Sequence, residues 1–225
     1  MPIIRQLKSP NCFTKSELSM RNVIVAGIGT GVGKTIVSAI LTQLFTGQYW
    51  KPIQCGNLEQ SDTQTVKNLL TLNQHRVYPP AYSLKAPLSP HEAARLENTI
   101  IDPQKISPPR SPKNLIIETV GGIFTPLTQH TLSIDLFSSW DAHWIVVSRH
   151  YLGSLNHTLL TLEALKNRKI PLLGIIFNGK PHLENESLIL QAAQLPLLGR
   201  LLPERNINQT LIHRYAKQWF PHFPH

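Results

Sequence analysis

The chain has 225 residues, of which 41% are hydrophobic and 16% are charged, so it is not disordered throughout and can build a sizeable core. Its 22 basic residues against 13 acidic ones give a net charge of +9, which suggests an anionic partner such as a phosphate or a carboxylate. Because the basic residues are scattered without a run of five or more, nucleic-acid binding is not expected.

Neither a membrane span nor a secretory signal is predicted. The longest apolar run, residues 170–177, has eight residues, whereas a membrane helix needs about 18. The first twenty residues are polar and mixed and lack the apolar segment of a secretory signal. The two cysteines, Cys12 and Cys55, cannot supply a disulfide framework. A cytoplasmic protein is therefore expected.

Short apolar strands alternate with helical stretches along most of the chain. Residues 1–20 show no clear period and are expected to form an extension ahead of one domain over residues 21–225. Strands are predicted at Val23–Ala26, Tyr49–Ile53, Leu115–Ile117, Trp144–Val147, Leu172–Phe177 and from Pro196. Helices are predicted at Ile36–Phe45, Ser61–Leu72, Ser89–Leu96, Ser154–Asn167 and Glu184–Gln194. This alternation predicts an α/β fold with a mostly parallel sheet and helices on both faces.

A glycine-rich segment, residues 27–35 (GIGTGVGKT), links the first predicted strand to the first predicted helix. This context is typical of a P-loop NTPase, in which backbone N–H groups and a helix N-terminus bind phosphates. Lys34 would reach the β- and γ-phosphates, and the Thr35 hydroxyl would bind Mg²⁺. The expected nucleotide contacts come from the end of this segment, Gly31, Val32, Gly33, Lys34 and Thr35.

The spacing within this phosphate loop is unusual. Five residues separate Gly27 from Gly33, where the standard motif has four. A glycine-rich turn with a chance Gly-Lys-Thr is the alternative interpretation, but the predicted strand before it and helix after it disfavour that. Gly29 stands where the deviant loop of partitioning ATPases has its signature lysine, so that subgroup is disfavoured as well.

Four polar residues further along have both a catalytic and an ordinary structural interpretation. Glu118 ends the third predicted strand and Asp62 lies near a helix start, so each could bind Mg²⁺ or be a solvated strand-end or capping acid. Lys51 follows a strand and could stabilise a transferring phosphoryl group, although a surface lysine would show the same pattern. Asn178 could bind a base edge or form a turn with the glycine after it.

Several segments, taken in order, resemble the dethiobiotin synthetase family. The similarity covers residues 22 to about 205. Its segments are the phosphate loop at 27–35, KPIQCG at 51–56, SD at 61–62, SPHEA at 89–93, ETVGG at 118–122, LGSLNHTLLT at 152–161, Asn178, and PLLG at 196–199. None of them is decisive alone, but their order along the chain is specific.

This resemblance implies an ATP- and Mg²⁺-dependent cyclo-ligase of biotin biosynthesis. One amine of 7,8-diaminopelargonic acid would take up CO₂ as a carbamate, ATP would phosphorylate the carbamate, and the second amine would close the ureido ring. By position, Thr35, Asp62 and Glu118 would hold Mg²⁺. Lys34 and Lys51 would bind and stabilise the phosphoryl and carbamate groups, since phosphoryl transfer needs positioning and charge neutralisation.

The resemblance also implies a homodimer that binds its substrate across subunits. Asn178 would contact adenine, and Cys55 would lie in the substrate segment. The substrate carboxylate would be bound at a helix start of the other subunit. The residues expected there are Gly153, Ser154, Leu155 and Asn156.

The sequence departs from the family at four positions near the expected site. Gly29 replaces a loop aspartate, Cys55 replaces a serine, and Thr119 and Val120 replace glycine and alanine beside Glu118. Two other functions therefore stay open. One is a switch-type P-loop ATPase that regulates a partner, and the other is a nucleotide-binding homologue without ring-closing activity.

Overall fold

The computed structural model describes residues 22–70 and 76–223, so the extension expected at residues 1–20 lies outside the described residues. The strands in the described part are β1 (Asn22–Gly27), β2 (Gln48–Trp50), β3 (Ile53–Cys55), β4 (Val77–Tyr78), β5 (Tyr82–Leu84), β6 (Leu115–Glu118), β7 (His143–Arg149), β8 (Leu172–Asn178) and β9 (Leu197–Leu201). The helices are α1 (Lys34–Leu44), α2 (Asp62–Leu69), α3 (Pro90–Leu96), α4 (Ser133–Phe137), α5 (Ser154–Asn167), α6 (Leu183–Ala193) and α7 (Gln209–Trp219). Among these residues, no helix is long and apolar enough to cross a membrane.

Seven strands form the main sheet in the order β4-β2-β6-β1-β7-β8-β9, and each neighbouring pair is parallel. Successive side chains of a strand point to opposite faces of the sheet. One face packs against α1, α2 and α7, and the other packs against α4, α5 and α6. The predicted fold, a mostly parallel sheet with helices on both faces, is confirmed. Parallel strands also bring their C-terminal ends, and the loops that follow them, to one edge of the sheet.

The predicted second strand, Tyr49–Ile53, is wrong as a single element. Gln48–Trp50 pairs with β6 and β4 in the main sheet, whereas Ile53–Cys55 pairs with β5 in a separate two-stranded sheet. The break falls at Pro52, which has no N–H to continue a ladder. Its carbonyl instead accepts hydrogen bonds from the N–H groups of residues 81 and 82, at 2.8 and 3.1 Å. Lys51 therefore lies at the junction between the two sheets.

The other predicted strands and helices are present, with shifted ends. Helix α2 ends at Leu69, because the backbone of Leu70 is already extended, and the last two residues of the predicted helix, 71–72, lie outside the described residues. Ser89 precedes α3 as expected, but its hydroxyl contacts His91 Nδ1 at 3.0 Å instead of capping the helix. The sequence patterns did not identify β4, β5, α4 and α7, of which the first three are five residues or shorter.

The C-terminal helix α7 closes one face of the sheet. Its last residue, Trp219, and Phe223 beyond it are both buried. Gly199 in β9 makes room for this packing, because a Cβ there would lie 2.5 Å from the Trp219 indole.

Candidate active site

The phosphate loop joins the end of β1 to the start of α1 and is held by side chains that bind its carbonyl groups. Lys34 Nζ donates to the carbonyl of Gly29 at 2.9 Å, and Arg149 donates to that of Gly31 at 3.1 Å. Asn178 Nδ2 donates to the carbonyl of Val32 at 2.8 Å. Arg149 and Asn178 are paired neighbours at the ends of β7 and β8. Two adjacent strands therefore fix consecutive carbonyls of the loop.

Two glycines of the loop adopt backbone angles that favour glycine. Gly31 has φ +69° and Gly33 has φ +98°, both in the left-handed region. A Cβ at Gly33 would also lie 2.3 Å from Asn178 Nδ2, so the loop and the end of β8 touch there. Gly33 precedes α1 and gives it no side-chain cap. The N-terminal N–H groups of α1 can therefore bind an anion, as the sequence predicted for a phosphate.

Beside the loop lies a cluster of four polar side chains, Thr35, Lys51, Asp62 and Glu118. The Thr35 hydroxyl lies 2.7 Å from Asp62 Oδ1 and 3.0 Å from Glu118 Oε1. Lys51 Nζ forms an ion pair with Asp62 and lies 3.2 Å from Glu118 Oε1. The four come from the start of α1, the junction after β2, the start of α2 and the end of β6. The residues that the sequence analysis assigned to Mg²⁺ are thus brought together, with one of the two lysines.

Burial and neighbouring charges shift the pKa values in this cluster and that of the adjacent Lys34. Burial lowers the pKa of Lys34 to about 8, against the raising effect of Glu118. Burial would also lower the pKa of Lys51, but Glu118 and Asp62 outweigh it and raise that pKa. Burial alone would raise the pKa of Asp62, whereas the charge and hydrogen bond of Lys51 lower it. At neutral pH the cluster therefore combines a charged Lys51 with a charged Asp62 carboxylate.

The sequence analysis missed a participant, Tyr49 in β2. This residue is fully buried, and its hydroxyl donates to Glu118 Oε2 at 2.7 Å. Burial, reinforced by the negative charge of Glu118, raises the pKa of Tyr49 well above 10, so the phenol keeps its proton. The sequence showed Tyr49 only as part of an apolar strand. The available signal was the rule that a buried tyrosine hydroxyl usually finds a partner.

An open cavity of about 740 Å³ extends from the phosphate loop over this cluster. Its wall includes Gln54 and Cys55 of β3 and the turn before α3. Gln54 Oε1 accepts a hydrogen bond from the Asp62 N–H at 3.2 Å and so ties β3 to α2. Burial raises the pKa of Cys55 to about 11, which keeps the thiol protonated and makes it a poor nucleophile.

The four residues expected to bind the substrate carboxylate lie outside the wall of this cavity. They are Gly153, Ser154, Leu155 and Asn156, at the start of α5. Gly153 has φ +93° and leaves α5 without a side-chain cap, as Gly33 does for α1. Ser154 is buried, whereas Asn156 is exposed. Within one chain the structure does not bring this helix start to the cluster.

The positions that depart from the family pattern differ in their surroundings. A Cβ at Gly29 would meet no atom of the described residues within 4 Å, so that part of the structure leaves the loop open there. Val120 lines the cavity, but Thr119 is fully buried and its hydroxyl donates to the carbonyl of Val25. Of these two replacements, the one that adds bulk to the cavity wall is therefore Val120 and not Thr119.

Comparison with known proteins identifies the family. A family model described as an AAA domain matches residues 21–210. The ATP-dependent dethiobiotin synthetase of Chlamydia pneumoniae is 48% identical over 200 residues, which cover 89% of this chain and 90% of that protein. The enzyme of the same name from Agrobacterium fabrum is 44% identical, and the alignment covers 90% of this chain and 95% of that enzyme.

Solved structures share the fold at much lower identity. A ParA family ATPase from Chlorobium tepidum is 14% identical with a TM-score of 0.55 and covers 91% of this chain and 100% of its own. The cell division ATPase MinD from Pyrococcus furiosus is 16% identical with a TM-score of 0.51 and covers 90% of each chain. These two show a common P-loop α/β fold. The relatives found by sequence are far more similar than these structures. Their identity over about 90% of the chain shows that it belongs to the dethiobiotin synthetase family.

Proposed function

We propose that this protein is an ATP- and Mg²⁺-dependent cyclo-ligase that converts 7,8-diaminopelargonic acid and CO₂ to dethiobiotin. The observation that carries the proposal is the polar cluster of Thr35, Lys51, Asp62 and Glu118 beside a phosphate loop. A phosphate loop alone would serve any P-loop NTPase. A buried lysine held between two carboxylates in the wall of the cavity adds a second cationic centre next to Lys34.

The donor atoms of this cluster suit Mg²⁺. They are one hydroxyl and two carboxylates, all hard oxygen ligands. Among the described residues there is no group of three or more histidine, cysteine, aspartate or glutamate side chains that could cage a metal alone. Mg²⁺ is usually bound in this way, by one or two carboxylates together with phosphates and water. When bound, the ion supplies charge neutralisation at the phosphates, and Thr35, Asp62 and Glu118 are the residues that hold it.

The two lysines act on the groups that react. Lys34 extends from the start of α1 and would move from the carbonyls of Gly29 and Gly121, at 2.9 and 2.8 Å, to the β- and γ-phosphates. Lys51 remains charged and stabilises the carbamate oxygens. One carbamate oxygen attacks the γ-phosphorus and ADP leaves. The second amine then attacks the carbonyl carbon, and phosphate leaves as the ureido ring closes.

The remaining contacts place the ends of the two substrates. Asn178 adjoins Gly33, where its amide can bind adenine while it supports the loop. Cys55 lines the diamine side of the cavity. The start of α5, with Gly153, Ser154, Leu155 and Asn156, would bind the substrate carboxylate in a second copy of the chain. The proposed assembly is a homodimer with the substrate sites at its interface, and we propose that it is cytoplasmic.

The test is phosphate release from Mg²⁺-ATP in bicarbonate buffer, with and without 7,8-diaminopelargonic acid, with the product identified by mass. Diamine-dependent release, with a product heavier by the carbonyl, is the expected result. Phosphate release that does not depend on the diamine would instead identify a switch-type ATPase. Bound ATP without release would identify a homologue that lacks ring-closing activity.

A further inference from the structure

Tyr49 holds Glu118 by the carboxylate oxygen that the rest of the cluster does not use. Glu118 Oε1 lies 3.0 Å from the Thr35 hydroxyl and 3.2 Å from Lys51 Nζ. Glu118 Oε2 accepts a hydrogen bond from the Tyr49 hydroxyl at 2.7 Å. Glu118 lines the cavity and Tyr49 does not. The two oxygens of this carboxylate therefore have different partners: Oε1 contacts the polar cluster at the cavity, and Oε2 contacts a tyrosine of the core.

The strand register explains why these two residues meet. Tyr49 of β2 pairs with Ile116 of β6, and Glu118 lies two residues further along β6. Residues two apart on a strand lie on the same face, so Tyr49 and Glu118 are diagonal neighbours in adjacent strands. Tyr49 belongs to the hydrophobic cluster under α1 and α2 and is 0% exposed. Its ring is fixed by packing, which in turn fixes where the hydroxyl lies.

We propose that Tyr49 is a positioning residue for the metal: it restrains Glu118 so that a single carboxylate oxygen, Oε1, faces the ion. This inference rests on the proposed function, because it takes Glu118 as a ligand of Mg²⁺. Mg²⁺ demands a near-ideal octahedral geometry, which a carboxylate satisfies through one oxygen, directly or through water. Ca²⁺ accepts both oxygens of one carboxylate. Holding Oε2 in a hydrogen bond therefore favours Mg²⁺ over Ca²⁺.

The decisive variant is Tyr49→Phe, which keeps the buried ring and removes the hydroxyl. We expect its affinity for Mg²⁺ to fall about tenfold, in line with the loss of a hydrogen bond to a charged group. Affinity for Ca²⁺ should change much less, because the freed oxygen becomes available to the larger ion. The ratio of Mg²⁺ to Ca²⁺ affinity is the informative quantity, since general loosening of the core would lower both affinities together.

The measurement is displacement of Mn²⁺ from the protein–ADP complex by Mg²⁺ or by Ca²⁺, followed by electron paramagnetic resonance, so it needs no turnover. Affinity for ADP without metal is measured alongside by calorimetry. Tyr78→Phe is the matched control, because it removes a tyrosine hydroxyl that donates to Gln48 Oε1 at 2.7 Å, in the edge strand β4. If Tyr49→Phe does not fold, Tyr49→Met fills the same space with a flexible apolar side chain.

A lowered Mg²⁺ to Ca²⁺ ratio in Tyr49→Phe, with metal-free ADP affinity and the Tyr78→Phe control unchanged, would support the inference. An unchanged ratio, or an equal loss of metal-free ADP affinity, would overturn it. Glu118→Gln separates this inference from the proposed function. If Glu118→Gln weakens Mn²⁺ binding and Tyr49→Phe leaves the ratio unchanged, only the role of Tyr49 fails. If Glu118→Gln binds Mn²⁺ normally, the assignment of Glu118 fails, and the role of Tyr49 fails with it.

Discussion

Replacing Gly33 with alanine should destabilise the protein through two separable effects. Gly33 has φ +98°, which costs a residue with a Cβ about 1–2 kcal/mol. The new Cβ would also lie 2.3 Å from Asn178 Nδ2, so that amide must move and lose its hydrogen bond to Val32, worth about 0.5–1.5 kcal/mol. Together these lower the free energy of unfolding by about 1.5–3.5 kcal/mol, or the Tm by about 3–14 °C.

The neighbouring glycines provide matched controls in the same loop. Gly29→Ala should stay within about 0.5 kcal/mol of the parent, because its Cβ meets no atom within 4 Å among residues 22–70 and 76–223 and its φ is not positive. Gly31→Ala, with φ +69° and open space, should show the backbone cost alone, about 1 kcal/mol. The assay is thermal unfolding without nucleotide, followed by circular dichroism.

A double variant isolates the contact with Asn178. In an Asn178→Ala background, Gly33→Ala should cost only the backbone part, because the amide that obstructs the Cβ is gone. If the three alanine variants lost equal stability, or if the cost at Gly33 were the same in both backgrounds, the reasoning from close contact would be refuted.

Three further predictions concern the proposed chemistry and a buried ion pair. Lys34→Ala should lower diamine-dependent phosphate release by about 10²–10³-fold, and near-normal release would contradict its role at the phosphates. Asn156→Ala should raise the KM for the diamine and leave that for ATP unchanged, whereas equal changes would exclude this segment from carboxylate binding. Glu186 is 1% exposed. One oxygen of its carboxylate accepts a hydrogen bond from Arg200 Nε at 2.6 Å, and the other lies 2.9 Å from His150 Nε2. Burial alone would raise the pKa of Glu186, but the hydrogen bonds with Arg200 and His150 outweigh burial and lower that pKa below the usual 4.5. Its contribution to stability is therefore present above pH 4.5 and is lost as the pH falls through the lowered pKa. Glu186→Gln should lower stability by about 1–3 kcal/mol at pH 7 and by less at low pH, measured by urea unfolding, and an equal loss at both pH values would contradict the ion pair.

The sequence was sufficient for the main sheet because its strands are short apolar runs between helices. It was insufficient where two adjacent segments belong to different sheets, as on either side of Pro52. A proline in a strand pattern indicates an edge or a break, but only the partner strand, Tyr82–Leu84, shows which of the two occurs. Two-residue strands such as Val77–Tyr78 carry too little pattern to be identified.

The sequence predicted the charged residues of the candidate site one by one. Asp62 and Glu118 were expected from their positions at a helix start and a strand end, and both lie against Thr35. Tyr49 was not predictable in the same way, because its contact with Glu118 depends on the register between β2 and β6. Register is a property of two segments more than sixty residues apart, and no local pattern in either contains it.

The junction at Lys51 separates the two sheets that form the site. The phosphate loop and Glu118 belong to the main sheet, whereas Cys55 belongs to the small sheet of β3 and β5, anchored through the Pro52 carbonyl. Mutations in the small sheet can reshape the cavity wall at Cys55 without altering the register of the strands that carry the phosphate loop. The cavity wall and the phosphate loop therefore rest on different sheets, which are linked at Lys51 and through the hydrogen bond from the Asp62 N–H to Gln54 Oε1.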